Sequence, residues 1–418
     1  MPVAAVQPRV FSSSDARLLQ QPTAASFPAL RQQVAGRPLA YLDSAATTLR
    51  PQAVIDALAD FYATDNANPA PVHTLARRAA SRLTAARQTV ARFINAPSPN
   101  EIIFTRGSTE GINLIASTWG AANLRPGDEV ILTIAEHNSN LLPWTRAAKQ
   151  AGATVRVVDL DEEGRLRIDQ LKQMTSAKTR LIAFSHVSNV LGLVNPAKEI
   201  CALARQAGAR VVIDGAQSVP HVSVDVQDIG CDFYVFSGHK MLGPMATGVV
   251  WGRLDLLDAM PAYHVGSNMA HDVDFEHAAI EHGAQKFQAG TPDVAGPVGL
   301  AAAIDFLTAM GKDATWRHDQ ELVRHGLARL REVKGLRIIG PVSAPNRVPV
   351  FTFVIDGKSP VVIANALDAR GIAIRAGDMA ALPLLKRFGV SAAARVSAYV
   401  YSTTHDIDRL VQALADIA

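Results

Sequence analysis

The sequence predicts an α/β fold: a large domain on a mostly parallel, seven-stranded sheet, followed by a smaller α+β domain at the C-terminus. Three observations carry this. Seven short apolar runs lie between residues 101 and 252, and helical stretches separate several of them. The runs lack clean alternation, as expected of strands buried on both faces. Beyond about residue 295 the pattern changes to amphipathic helices mixed with short strand-like segments.

The elements follow in order. Residues 1–45 form an N-terminal segment expected to pack with the small domain. Its first 35 residues are rich in Ala, Gln, Ser and Pro and should hold one short helix or loose coil. The large domain is placed at 46–295. Its strands are expected at "EIIFT" (101–105), "DEVILT" (128–133), "TVRVVDL" (154–160), "RLIAFSHV" (180–187), "ARVVIDG" (209–215), "CDFYVFSG" (231–238) and "GVVWG" (248–252). "NLLPWTRAAKQAG" and "PAKEICALARQAG" read as helices that close near a glycine. Strand–helix–strand alternation puts helices on both faces of a parallel sheet. The small domain, 296–418, is expected to combine helices such as "HDQELVRHGLARLREV" with strands such as "RVPVFTFVID" and "ARVSAYVY".

Composition narrows the function. With 418 residues, 48% of them hydrophobic, the chain can bury a large core. The net charge of +3, with both signs mixed, is not the clustered basic footprint of a nucleic-acid binder. Cys201 and Cys231 make neither a disulfide framework nor a metal-ligand set. No apolar run reaches membrane-span length and no signal peptide is read, so a soluble cytoplasmic protein is expected.

Four segments at predicted strand ends carry polar residues, and ligands bind outside the carboxyl ends of strands in open parallel sheets. In "FTRGSTEGIN", Gly107, Ser108 and Thr109 open a helix, either as a phosphate cradle or as an ordinary cap. In "VVIDGAQSVP", Asp214 closes an apolar strand and needs a cationic partner or a structural ion pair. In "VFSGHKMLGP", Lys240 follows a strand beside Ser237 and His239; there it is either solvated or desolvated enough to form a Schiff base. In "AEHNSNLLPW", His137 could lie over an aromatic ring or cap the helix. Together these are the parts pyridoxal 5'-phosphate requires. Asp214 would keep its pyridine nitrogen protonated and Lys240 would form the Schiff base. Thr109, Ser237 and His239 would hold the phosphate, and His137 would stack on the ring.

The chain also resembles the class V, fold-type I pyridoxal-phosphate enzymes, in the cysteine desulfurase and selenocysteine lyase branch. The resemblance rests on "YLDSAATT" (41–48), "FTRGSTEGIN" (104–113), "EHNSNLLPW" (136–144), "HVSNVLG" (186–192), "VVIDGAQSVPH" (212–221), "SGHKMLGP" (237–244), "QAGTPD" (288–293) and "ARVSAYVY" (394–401). It implies catalytic roles for Lys240, Asp214 and His137. It implies cofactor contacts for Ser108, Thr109, Asn189, Gln217, Ser237 and His239. Thr291 would reach the phosphate of a second subunit, which implies a homodimer. Arg395 would clamp the α-carboxylate of a small amino-acid substrate, a role suited to its fork of donors. Arg375 would stand at the mouth of the site.

Two segments depart from the branch. Desulfurases resemble "R-x-G-x-x-C-A-x-P" where this chain has Arg375, Gly377, Asp378, Met379, Ala380, Ala381 and Pro383, so the cysteine position is Ala380. Alanine cannot accept sulfur as a persulfide. In "DNANPAPVHTL" (65–75) the chain lacks the usual histidine–arginine pattern and is one residue shorter. Asp378 could contact a substrate amino or hydroxyl group, act as a general acid, pair with Arg375 or cap the next turn. The expected reaction is β-elimination of the carbon–sulfur-lyase type on a small, possibly sulfur-containing amino acid, without a protein persulfide. The alternatives are a desulfurase with an external sulfur acceptor, an aminotransferase or epimerase, and a non-catalytic pyridoxal-phosphate-binding partner protein.

Overall fold

The computed structural model describes residues 25–342 and 346–417. Most of the expected N-terminal helix or coil lies outside them.

All seven apolar runs form strands: β1 (Ile102–Thr105), β2 (Glu129–Thr133), β3 (Thr154–Val158), β4 (Thr179–Ser185), β5 (Arg210–Asp214), β6 (Phe233–Ser237) and β7 (Gly248–Gly252). They make one sheet in the order β1-β7-β6-β5-β4-β2-β3. β7 is antiparallel to both neighbours, and the remaining pairs are parallel. Six strands therefore point the same way. Every residue of β6 and β7 is buried, which is why their sequences are continuously apolar instead of alternating.

Helices α1 (Gln52–Thr64), α2 (Thr74–Phe93), α3 (Ser108–Ile115), α4 (Asn138–Ala151) and α5 (Ala197–Gln206) come from this part of the chain. α4 closes on Gly152 in the left-handed conformation, as its sequence predicts. The apolar helix α6 (Ala295–Met310) packs on α1 and α2. No helix among the described residues is long and apolar enough to cross a membrane.

A second, antiparallel sheet follows: β8 (Leu336–Ile338), β9 (Val350–Ile355), β10 (Arg375–Gly377) and β11 (Ala393–Ser397), in the order β8-β9-β11-β10. Helices α7 (Lys312–Leu330) and α8 (Thr404–Ala415) pack together beside it, over a core that includes Leu322, Phe353, Val396 and Leu410. The N-terminal part is tied to this side. Ala40–Tyr41 runs parallel to Ile372–Ala373, with Ala40 N–H donating to Gly371 O at 2.8 Å. Asp43 bridges to Ser397 at the end of β11.

Two glycines bring the large sheet close to its loops. A Cβ on Gly248 would lie 2.4 Å from the Gly107 Cα, so β7 can pass beneath the loop that opens α3 only without a side chain. Gly107 itself has φ 146°, a conformation that L side chains rarely adopt. The chain ends of β1, β2, β5 and β6 thus converge on one edge of the sheet, where helices begin.

Candidate active site

Asp214 is the last residue of β5 and is 6% exposed. One oxygen accepts the Ala216 N–H at 2.9 Å. Burial pushes the carboxyl above its ordinary value, against the pull of Lys240. Lys240 ends a short 3-10 turn, Gly238–Lys240, directly after β6. Desolvation holds its ammonium below the usual lysine range; Asp214 opposes that shift and Arg395 adds to it. Asp214 and Lys240 feel each other's charge without forming an ion pair. Among the described residues Lys240 has no hydrogen-bond or ion-pair partner. An enclosed amine and an enclosed carboxyl, each left without a partner of opposite charge, are costly unless a third group completes them.

The loop before α3 gathers hydroxyls. The Ser237 Oγ accepts the Ser108 N–H at 2.8 Å and lies 2.9 Å from the Ser108 Oγ. Thr109 Oγ1 lies 2.7 Å from Ser139 Oγ at the start of α4. His239 Nδ1 lies 3.2 Å from Thr47 Oγ1, and Arg50 donates to the same hydroxyl at 3.2 Å. Burial, Lys240 and Arg50 push His239 down to about 4. Hydroxyl pairs and a helix N-terminus suit an anion carrying several acceptor oxygens.

His137 is the N-cap of α4, and its Nδ1 accepts the Ser139 N–H at 3.1 Å. The neutral ring therefore carries its proton on Nε2. Burial, with Lys240 and Arg395, pushes it from 6.5 to about 4, while Asp378 pulls it up. The folded chain thus binds fewer protons here than the unfolded chain between those values. The stability this ring contributes is complete above about pH 6.5 and is lost as pH falls to about 4. His137→Asn, which keeps an N-cap, is expected to flatten part of the fall in Tm across that window. Parallel acid melts of the two proteins measure it; identical slopes would refute it.

The arginines share a residue that sequence reasoning passed over. Arg375 donates to Asp43 Oδ2 at 2.7 Å, and Arg395 NH2 lies 3.6 Å from Asp43 Oδ1. Arg395 is 3% exposed, donates to Asn189 O at 3.1 Å and leaves its Nε without a partner. Burial pushes it down to about 10. A buried guanidinium with an open edge is ready for an acid that arrives from outside.

The loop after β10 is fastened. Met379 and Ala380 have φ 55° and 52°. Met379 O accepts from Asn189 Nδ2 at 2.9 Å, and Ala380 O accepts the Asn138 N–H at 2.7 Å. Asp378 Oδ1 accepts the Ala380 N–H at 3.0 Å, so this carboxylate stabilises its own turn; Arg375 pairs with Asp43 instead. Gln217 donates to Ala45 O at 2.7 Å. Thr291 is exposed, in a turn remote from these contacts along the chain. Cys201 and Cys231 are buried, 1% and 3% exposed, and burial pushes Cys201 up to about 12 and Cys231 well above its usual range. Neither can present a thiolate.

The donor set fits pyridoxal phosphate on these observations alone. Asp214 would meet the ring nitrogen, Lys240 the aldehyde carbon, the α3 hydroxyls the phosphate and His137 the ring face.

Comparison with known proteins agrees. Residues 40–410 match the model of the aminotransferase class-V family. The chain belongs to that family of pyridoxal-phosphate enzymes. A probable cysteine desulfurase of Halalkalibacterium halodurans is 46% identical over 93% of this chain and 95% of its own length. A cysteine desulfurase of Synechococcus elongatus is 44% identical over 94% of this chain, which spans only 62% of that protein. The crystal structure of a cysteine desulfurase from Escherichia coli superposes with a TM-score of 0.87 at 35% identity, over 98% of each chain.

Proposed function

We propose that this protein is a pyridoxal-phosphate-dependent carbon–sulfur lyase. Its substrate is cysteine or a close relative, and it releases sulfur without loading it on a cysteine of its own. One observation carries the last clause: the loop residue whose carbonyl accepts the Asn138 N–H is Ala380, next to Met379, whose carbonyl accepts from Asn189, and both cysteines of the chain lie in the core. The desulfurase relatives support the substrate class.

Pyridoxal phosphate, once bound, acts as an electron sink that acidifies the substrate α-proton. Arg395 receives the substrate α-carboxylate on its open edge. Lys240, whose lowered proton affinity favours the free amine at Nζ, would take the α-proton. Asp214 would hold the proton on the ring nitrogen. His137, neutral with its proton on Nε2, can donate to a departing sulfur. Asp378, committed to its turn, contributes charge near His137 but no contact with the loop arginine. Cysteine and water then give pyruvate, ammonia and sulfide.

Incubation with L-cysteine is the test. Pyruvate, ammonia and sulfide in equal amounts, with no sulfur on the protein, are expected. Alanine together with a protein-bound persulfide would overturn the proposal. Alanine that appears only when a small thiol is added would favour the second reading, a desulfurase with an external acceptor, which the names of the relatives support.

The proposal includes a homodimer with Thr291 reaching the partner's phosphate. The excursion before Thr291 exposes Val265 at 80% and Phe275 completely, an apolar cost that a second subunit would remove.

A further inference from the structure

Glu136 precedes His137 and is 1% exposed. Its carboxyl accepts from Thr133 Oγ1 at 2.5 Å and from Asn140 Nδ2 at 2.7 Å, and the Ser185 backbone favours its ionised form. Asn140 is held in turn by Trp144 Nε1, which donates to its Oδ1 at 3.0 Å. Thr133 ends β2 and Asn140 lies in α4, so the carboxyl fastens the turn that carries His137 at both ends. Ser185 ends β4 and pairs in register with Asp214 on β5. Glu136 therefore lies one strand behind the acid assigned to the ring nitrogen.

No basic group lies within 4 Å of Glu136 among the described residues, and the charge it feels is that of Asp214. His137 stands beside it on the same turn. Lys240 acts on His137 and Asp214 from beyond. A buried carboxyl with two side-chain donors and no cation is expensive to maintain for structure alone.

We propose that Glu136 is a positioning residue of the cofactor site: it locks the His137 turn and, as a second buried acid, controls how firmly Asp214 keeps the proton on the pyridine nitrogen. This rests on the reading of Asp214 and His137 as partners of the ring. When ionised, Glu136 adds negative charge beside Asp214 and tightens the hold on that proton; when neutral, it loosens it. Burial pushes its own titration to about 7, so the change falls near neutrality.

The experiment is a pH titration of the visible absorption of holoprotein in the parent, Glu136→Gln and Thr133→Val. A step near neutral pH is expected in the parent. Glu136→Gln should remove it. Thr133→Val, which deletes a donor to the ionised carboxyl, should move it upward by about one pH unit, a tenfold change in proton affinity. If Glu136→Gln loses the cofactor, Thr133→Val decides: a step displaced upward supports the proposal and an unmoved step overturns it. A Glu136→Gln curve identical to the parent also overturns it while leaving the cofactor reading intact. A parent protein that takes up no pyridoxal phosphate would overturn both.

Discussion

Lys240→Ala removes the visible absorption of bound pyridoxal phosphate and lowers turnover by at least about 10⁴-fold, the upper range for loss of a positioned base. The size follows from two losses at one atom, the attachment point and the base for the α-proton. The fold should survive. Among the described residues the Lys240 side chain makes no hydrogen bond or ion pair, and its removal relieves a desolvated charge beside Arg395. Absorbance and a product assay on the same preparation measure both effects. A variant that kept the band and more than a tenth of the activity would mean that another amine holds the cofactor.

Arg395→Gln raises KM for the amino acid by about 10²–10³-fold, corresponding to the ~3–4 kcal/mol expected for a buried charge-assisted pair. Arg395 is buried in β11 with its Nε unpartnered. Asp43 would not be orphaned by the change, because Arg375 remains on it at 2.7 Å. The cofactor band should persist, which separates a lost substrate contact from a damaged fold. An unchanged KM with the band intact would place the substrate carboxylate elsewhere.

Much of this architecture was readable along the chain because it is local. Strands buried on both faces must be continuously apolar, and β1 to β7 are. Asp214, Ser237 and Lys240 announced themselves by standing where such runs stop. What was hidden depends on pairs distant in sequence. Asp43 and its two arginines are separated by more than three hundred residues, and nothing near "YLDSAATT" signals that its aspartate faces them. Glu136 looked like an ordinary polar residue before a histidine; only the packing of β2, β4 and α4 makes it a buried acid. The left-handed Met379 and Ala380 had no glycine or asparagine to mark them. Asp378 allows four readings from sequence; the structure shows its carboxylate on its own turn and Arg375 paired with Asp43 instead.

The fastening of the loop after β10 has a mechanical meaning. A residue that picks up sulfur in the site and hands it to a partner outside must sit on a segment that can swing. Here the carbonyls of Met379 and Ala380 are tethered to Asn189 and Asn138, and the Asp378 carboxylate ties the turn to itself. Releasing the first two tethers alone would cost about 1–3 kcal/mol. Under the proposed reaction the segment is a wall, not an arm: it bounds the site and carries no sulfur out of it. The sulfide of the proposed reaction would then leave by diffusion as a free molecule.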